Sequence, residues 1–245
     1  MLVQLTHSPN PKVNAKFSKR RLWIMCGRYT MLGDQLDLLD EFDLEDPIEN
    51  YHESYNVAPG QNVLAIIHDG KKKRAGYLRW GLVPSWAKDP KIGYKMINAR
   101  SETAHEKPSF KKLMARKRCL IIADSFYEWQ KTEDSKVAQR IQVEDREFFA
   151  FAGLWDKWVQ KDETLFTCTI LTKDSNEFME DIHHRMPIIL PKEGEDAWIE
   201  PRVFQPAEAK QLLDGLEDDP FEAYPVSNYV NAAKNNDEKC IVPIA

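Results

Sequence analysis

Apolar residues recur along the chain with two periods. Between Gly33 and Leu44, Leu36, Leu39 and Phe42 fall at i, i+3 and i+6, one face of an amphipathic helix. Segments 109–117, 175–181, 195–199 and 206–216 carry a similar helical signal. Pro206 suits a helix start, where its fixed φ is already helical and its missing N–H costs nothing. Runs rich in β-branched and aromatic residues predict strands over 63–68, 73–83, 118–129, 140–158 and 165–172. A hairpin is expected inside 140–158, turning near Glu144, Asp145 and Arg146, and Met186–Leu190 reads as a core strand entered through a Pro turn. An acidic loop spans 45–53. With no internal repeat, no long Gly/Ser/Pro linker and no regular βαβ alternation, the pattern predicts one α+β domain with a mixed or mostly antiparallel sheet and short flanking helices.

Composition narrows the class. The 245 residues are 42% hydrophobic and include 7 Trp and 11 Phe, which excludes a disordered chain. No apolar run approaches the roughly 18 residues of a membrane span, so no membrane partner is expected. The formal charge of −5 conceals an asymmetry. Residues 1–24 hold Lys12, Lys16, Lys19, Arg20 and Arg21 and no acid, so residues 25–245 carry a net −10. Such a body does not hold nucleic acid by bulk charge; a local basic groove would have to do so. The basic leader lacks the apolar core of a secretory signal and only weakly suits a transit peptide. The preferred expectation is a start placed too far upstream, with Met25 the true initiator and 25–245 the working domain.

Of the four cysteines, none lies in a Cys-x-x-Cys pair or a zinc-spaced Cys/His cluster. Cys119 and Cys168 sit in strand-like apolar runs and are expected as buried small hydrophobes. Cys26 differs, standing in a polar context before Gly27, Arg28 and Tyr29. Reduced thiols suit an intracellular, cytoplasmic protein.

Six segments are denser in polar and aromatic residues than packing requires: Cys26–Tyr29, Tyr55–Gly60, Arg79–Trp86, Asn98–Glu102, Phe126–Trp129 and His183–Pro187. Singly each has an ordinary structural explanation, such as a capped loop or a solvated strand residue. In this order they resemble the SOS response-associated peptidase (SRAP) family, over Met25 to about Val242. The resemblance implies a barrel-like sheet, no metal or organic cofactor, a monomer, and self-crosslinking to abasic sites in single-stranded DNA or at single-strand/double-strand junctions. It places the catalytic set on Cys26, Asn98, Glu128 and His183. It places phosphate and base contacts on Arg28, Arg100, Thr172 and Trp129, with Trp86 as a further stacking residue. In a bacterial cell it implies association with the nucleoid. In the family the cysteine directly follows the initiator Met; here it is residue 26.

The chemistry explains why such residues are needed. A ring-opened abasic sugar carries an aldehyde at C1′. A free α-amine attacks it to form an imine, and an adjacent thiol can close on the same carbon to give a thiazolidine. Only an N-terminal cysteine presents both groups with the proximity that favours ring closure. Its α-amine titrates near pH 7.7–8.0, leaving a useful neutral fraction. In the roles the resemblance implies, His183 protonates the ring oxygen and Glu128 moves the amine proton. Asn98 positions the sugar or N-terminus, and Arg28 and Arg100 hold phosphates. An imine left open would also permit strand cleavage by β-elimination, a lyase side reaction. Two alternatives remain: a cysteine peptidase using Cys26 and His183, whose self-processing would expose Cys26, and a non-covalent DNA-binding module. Spacing does not say which of His183 and His184 faces the site, although strand geometry would send them to opposite sides. The lysine-rich stretches 71–74 and 111–118 are expected as solvated surface.

Overall fold

Strand runs along the chain become two sheets in which neighbouring side chains point to opposite faces. The structure is a computed structural model that describes residues 27–133, 135–161 and 163–244. In chain order its strands and helices begin with β1 (Tyr29–Met31), α1 (Gln35–Glu41), β2 (Ser54–Val57), β3 (Asn62–His68), β4 (Lys73–Trp80) and β5 (Asn98–Arg100). They continue with α2 (Ser101–Ala104), α3 (Lys111–Arg116), β6 (Arg118–Ala123), β7 (Ser125–Lys131), β8 (Lys136–Val143), β9 (Phe149–Gln160) and β10 (Glu163–Asp174). The last are α4 (Glu177–Glu180), β11 (Arg185–Pro187), β12 (Ile189–Leu190), α5 (Lys192–Ile199), α6 (Pro206–Asp214) and β13 (Phe221–Val226). Short 3₁₀ turns occupy Pro90–Lys95, Asn228–Asn231 and Glu238–Cys240.

β4, β3, β6, β9 and β10 pair in that order, and β10 pairs back onto β4, closing a five-stranded barrel. Only the β10–β4 closure within it is parallel. Closure leaves these five strands without a free edge along the paired stretches. β5 and β11 extend from the far half of β10, and β12 pairs with β9. The second sheet has the order β13-β8-β7-β1-β2 and is antiparallel throughout. The predicted single α+β domain with a mixed, barrel-like sheet is therefore the observed fold. No helix among the described residues is long and apolar enough to cross a membrane.

The second sheet lies between two apolar layers. Tyr29, Val57, Phe126, Ile141 and Phe221 join the main core with the barrel residues. Tyr127, Ala138 and Val226 face a smaller cluster completed by Val230 and Cys240 of the C-terminal segment. Cys119 and Cys168 are fully buried, as their runs predict, and burial pushes both thiols up.

Two predicted elements are corrected. The run 118–129 is two strands, because the chain leaves the barrel at Asp124 and enters the second sheet. Asp124 is buried and ion-paired with Arg140 at 2.7 Å, so high burial continues across the break and hides it. The predicted hairpin near Glu144–Arg146 is a crossing between sheets: β8 pairs with β7 and β13, whereas β9 pairs with β6, β10 and β12. The long hairpin is instead β9–β10, with Lys161 in the left-handed region at φ 51°.

Candidate functional site

β1 and β7 run antiparallel with Tyr29 opposite Phe126 and Thr30 opposite Ser125. The Tyr127 amide donates to the Arg28 carbonyl at 3.0 Å, so the register continues outward and sets Gly27 opposite Glu128. Cys26 itself lies outside the described residues; Gly27, to which it is bonded, is buried. Directly paired residues share a face and neighbours alternate. Gly27, Phe126 and Glu128 therefore belong to the barrel side of the sheet, and Arg28, Tyr127 and Trp129 to the other. Glu128 is only 2% exposed.

The loop bearing the histidines approaches that same barrel-side face. Gln130, two residues beyond Glu128, donates from Nε2 to the Asp181 carbonyl at 3.1 Å. Gln139, opposite Glu128, donates to Gln130 Oε1 at 2.9 Å. His183 follows, half-buried, with Nδ1 3.1 Å from the Arg185 amide that donates to it. The His183 and His184 rings lie 4.4 Å apart with planes inclined by 32°, so the two do not diverge as strand neighbours would. His184 is the exposed member and His183 the sheltered one.

Asn98 enters from the barrel. β5 pairs in parallel with β10, Asn98 opposite Ile170 and Arg100 opposite Thr172, so Asn98 and Arg100 share a face while Ala99 points into the core. Arg100 is exposed and Asn98 half-buried. Thr172 is fully buried, and its Oγ1 accepts from Arg185 Nη2 at 3.2 Å. Gly27, Glu128 and the His183 loop thus meet at a seam on the barrel side of the second sheet, and Arg185 links that loop to Glu102, two residues beyond Arg100. Trp86 stands apart on an exposed loop.

Arg28 and Trp129 face the C-terminal segment. Arg28 donates from Nη1 to Asn56 Oδ1 and from Nη2 to the Asn231 carbonyl, both at 3.0 Å, and Nη1 also reaches the Val230 carbonyl. Burial lowers its pKa, partly offset by nearby Cys240 and Tyr127. Trp129 Nε1 donates to Asn231 Oδ1 at 2.7 Å. Much of the hydrogen-bonding capacity of these two residues is therefore used inside the protein.

Two residues in the quoted segments have roles that sequence reasoning missed. Asn56, 1% exposed, donates to the carbonyls of Val230, Ala232 and Asn235 while accepting from Arg28, tying the C-terminal segment to β1. Arg185, 4% exposed, pairs with both Glu102 oxygens at 2.6 and 3.0 Å and with Asp174. It also donates to the Thr172 carbonyl at 2.9 Å, so it fixes the base of the histidine loop. The one available signal was an amide or guanidinium among residues of strand character, which needs partners once buried.

Burial lowers the His183 pKa below 6.5; its contact with the Arg185 backbone opposes this, and His184, Lys136 and Arg185 add to the lowering. The unfolded imidazole titrates near 6.5. Between the two values the unfolded chain holds more protons, so the His183 contribution to stability is present above the unfolded pKa and is lost as pH falls through the folded one. NMR titration should place the His183 midpoint below 6.5, and His183→Gln should flatten the fall in urea stability on acidification below that pH.

The fold and site define a single-domain α+β protein whose closed barrel and second sheet frame a polar seam at the start of β1. A family model described as SOS response associated peptidase (SRAP) matches residues 25–233. The chain belongs to this family. It is 51% identical over 221 residues to the abasic site processing protein YoqW of Bacillus subtilis (strain 168), covering 89% of this chain and 99% of that protein. The abasic site processing protein HMCES of Gallus gallus is 36% identical over 229 residues, covering 79% of this chain and 67% of its own. The X-ray crystal structure of a Bacteroides thetaiotaomicron protein superposes with a TM-score of 0.80 at 26% identity, covering 90% of this chain and 100% of that one.

Proposed function

We propose that this protein processes abasic sites in single-stranded DNA, capturing the ring-opened sugar covalently through Cys26 as the N-terminal residue. The observation that carries this reading is the β1–β7 register, which sets Gly27 opposite buried Glu128 on the face approached by the His183 loop. An α-amine on Cys26 would then enter the seam one residue from that point. Its relatives named as abasic site processing proteins support the substrate.

The amine nitrogen attacks the C1′ aldehyde, and Glu128 takes up the proton the nitrogen loses. The sugar opens as protonated His183 gives a proton to the ring oxygen while the C1′ hydroxyl proton is taken up and returned to His183 through solvent. After amine attack both nitrogen protons pass to the former carbonyl oxygen, one at addition and one at dehydration, relayed by Glu128 and His183, and that oxygen leaves as water. The Cys26 sulfur adds to the imine carbon, the C=N electron pair returns to nitrogen, and the thiol proton ends on that nitrogen. The net change is aldehyde plus aminothiol to thiazolidine plus one water. Arg100, exposed beside Asn98, is placed to hold a phosphate of the same strand. Thr172, buried against Arg185, acts by supporting the loop rather than by touching DNA. The reaction needs one copy of the chain and a cell compartment that contains DNA, which in bacteria is the cytoplasm with its nucleoid.

Intact-mass analysis after incubation with an abasic single strand is expected to show protein plus oligonucleotide minus one water. A strand carrying the tetrahydrofuran analogue, which has no aldehyde, should give no adduct. An equal yield with the analogue, or none with either from protein starting at Cys26, overturns the reading.

A further inference from the structure

We propose that Gln130 and Gln139 form an amide bridge that positions His183 against Glu128, setting the spacing of the two groups that move protons at the captured sugar. This rests on the reading that Cys26 captures abasic sites in the seam. Glu128 lies opposite Gln139 in the β7–β8 register, and Gln130 follows two residues along β7. Residues directly paired or two apart share a face, so both amides flank Glu128 on its own side of the sheet. Gln139 Nε2 donates to Gln130 Oε1 at 2.9 Å, and Gln130 Nε2 donates to the Asp181 carbonyl at 3.1 Å.

The bridge has a polarity. A carbonyl oxygen only accepts, so Gln130 turns its amide nitrogen to Asp181 and its oxygen to Gln139, which supplies an N–H in return. One orientation of each amide satisfies both bonds. A side chain without a donor at position 130 would break the tie to the loop.

Asp181 is two residues from His183, and the segment between them is tightly wound. The Ile182 and His183 amides both donate to the Met179 carbonyl, at 2.9 and 2.8 Å. Asn176 Oδ1 caps the same turn by accepting from the Met179 amide at 3.0 Å. A displacement of Asp181 is therefore carried to His183 and not absorbed by slack chain.

On its other side His183 is tied to the barrel. The Arg185 amide donates to Nδ1 at 3.1 Å, and the Arg185 guanidinium holds Glu102, Asp174 and the Thr172 carbonyl. Arg185 thus fixes the histidine relative to β10 and α2, whereas the two glutamines fix it relative to the strand that carries Glu128. Proton transfer between groups on separate sheets needs both anchors, because a misplacement of about 1 Å can cost as much as a hundredfold in rate. Gln130 and Gln139 are positioning residues that act through His183.

The test uses protein starting at Cys26 with Gln130→Met, close in shape but without a donor, and Gln130→Lys, which keeps one. Circular dichroism verifies folding. Single-turnover capture of an abasic single strand over a range of DNA concentrations gives a maximal rate and a half-saturating concentration. Gln130→Met should lower the maximal rate about tenfold and leave half-saturation within about twofold. Gln130→Lys should recover the rate to within about threefold of wild type, since its ammonium can donate to the Asp181 carbonyl. A second readout needs no DNA. The His183 pKa is lowered first by burial, with His184, Lys136 and Arg185 adding to the effect. Releasing the loop should raise its NMR midpoint toward 6.5 in Gln130→Met, whereas Gln130→Lys should keep it at or below the wild-type value.

An unchanged maximal rate in Gln130→Met overturns the bridge, as does a loss confined to half-saturation or an equal loss in both variants. Wild-type protein that captures no abasic strand overturns the proposed function instead, and the His183 midpoint then decides separately whether the bridge holds the ring.

Discussion

A chain that begins at Cys26 should convert an abasic single strand into a heat-stable adduct, whereas the 245-residue chain beginning at Met1 should form essentially none. The expected difference is at least about a hundredfold, because capture depends on two groups held on adjacent carbons. In the longer chain the Cys26 nitrogen is an amide whose lone pair is delocalised into the carbonyl. It cannot form an imine, and the thiol alone can give only a reversible hemithioacetal. Cys26→Ser in the shorter chain should yield an imine that borohydride traps but heat reverses. Sequencing the N-terminus of the incubated long chain separates two routes to the active form. Appearance of Cys26 without added peptidase would show self-cleavage; its absence would assign the exposure of Cys26 to another enzyme or to initiation at Met25. An adduct of equal yield from both chains would remove the α-amine from the mechanism.

Arg118→Met should cause the largest loss of stability of any single polar substitution discussed, about 3–5 kcal/mol. Arg118 is 5% exposed and donates to four carbonyls: Trp198 at 2.6 Å, Met114 at 3.1 Å, Glu200 at 2.6 Å and Arg202 at 3.1 Å. Its guanidinium also stacks 4.1 Å from the Phe204 ring centre. Burial lowers its pKa to about 10, with Arg202 adding to the effect, so it remains charged at neutral pH. Methionine fills much of the volume but leaves those carbonyls without their donor, tying α3 and the 198–204 segment less firmly to β6. Thermal unfolding should shift down by roughly 10 °C for a domain of this size. Lysine should recover only part of the loss, since one ammonium cannot reproduce the planar fork. The carbonyls that Arg118 holds belong to α3 and the 198–204 segment rather than to β5, β7 or the histidine loop, so capture by the folded variant should be preserved.

How much of this was legible varied with the range of the interaction. Helices such as 206–214 were readable because their caps and periodicity are local, and Pro206 marks the start of that helix as expected. The strands β3, β4 and β10 were readable from their alternating or apolar runs. The short strands β1, β2 and β5 were not, because three or four residues carry too little pattern. The motifs quoted around Asn98, Glu128 and His183 were visible as unusual composition, but the approach of the His183 loop to the strand that carries Glu128 was not.

By itself the sequence determined the α+β class, the buried Cys119 and Cys168, the concentration of reactive and aromatic residues in six segments, and the contrast between a basic leader and an acidic body. Each of these is a property of neighbours in the chain, where period, composition and covalent order act directly. Only the tertiary structure decided that the 118–129 run divides between barrel and second sheet, that Arg28 is held by Asn56 and by carbonyls some 200 residues away, and that Lys72, Lys73 and Arg74 at the start of β4 are neutralised by carboxylates of other segments. The physical reason is that alternation records that a face is buried but not what buries it. Which strand closes the barrel, and which carboxylate meets which cation, depends on long-range pairing that local spacing does not encode.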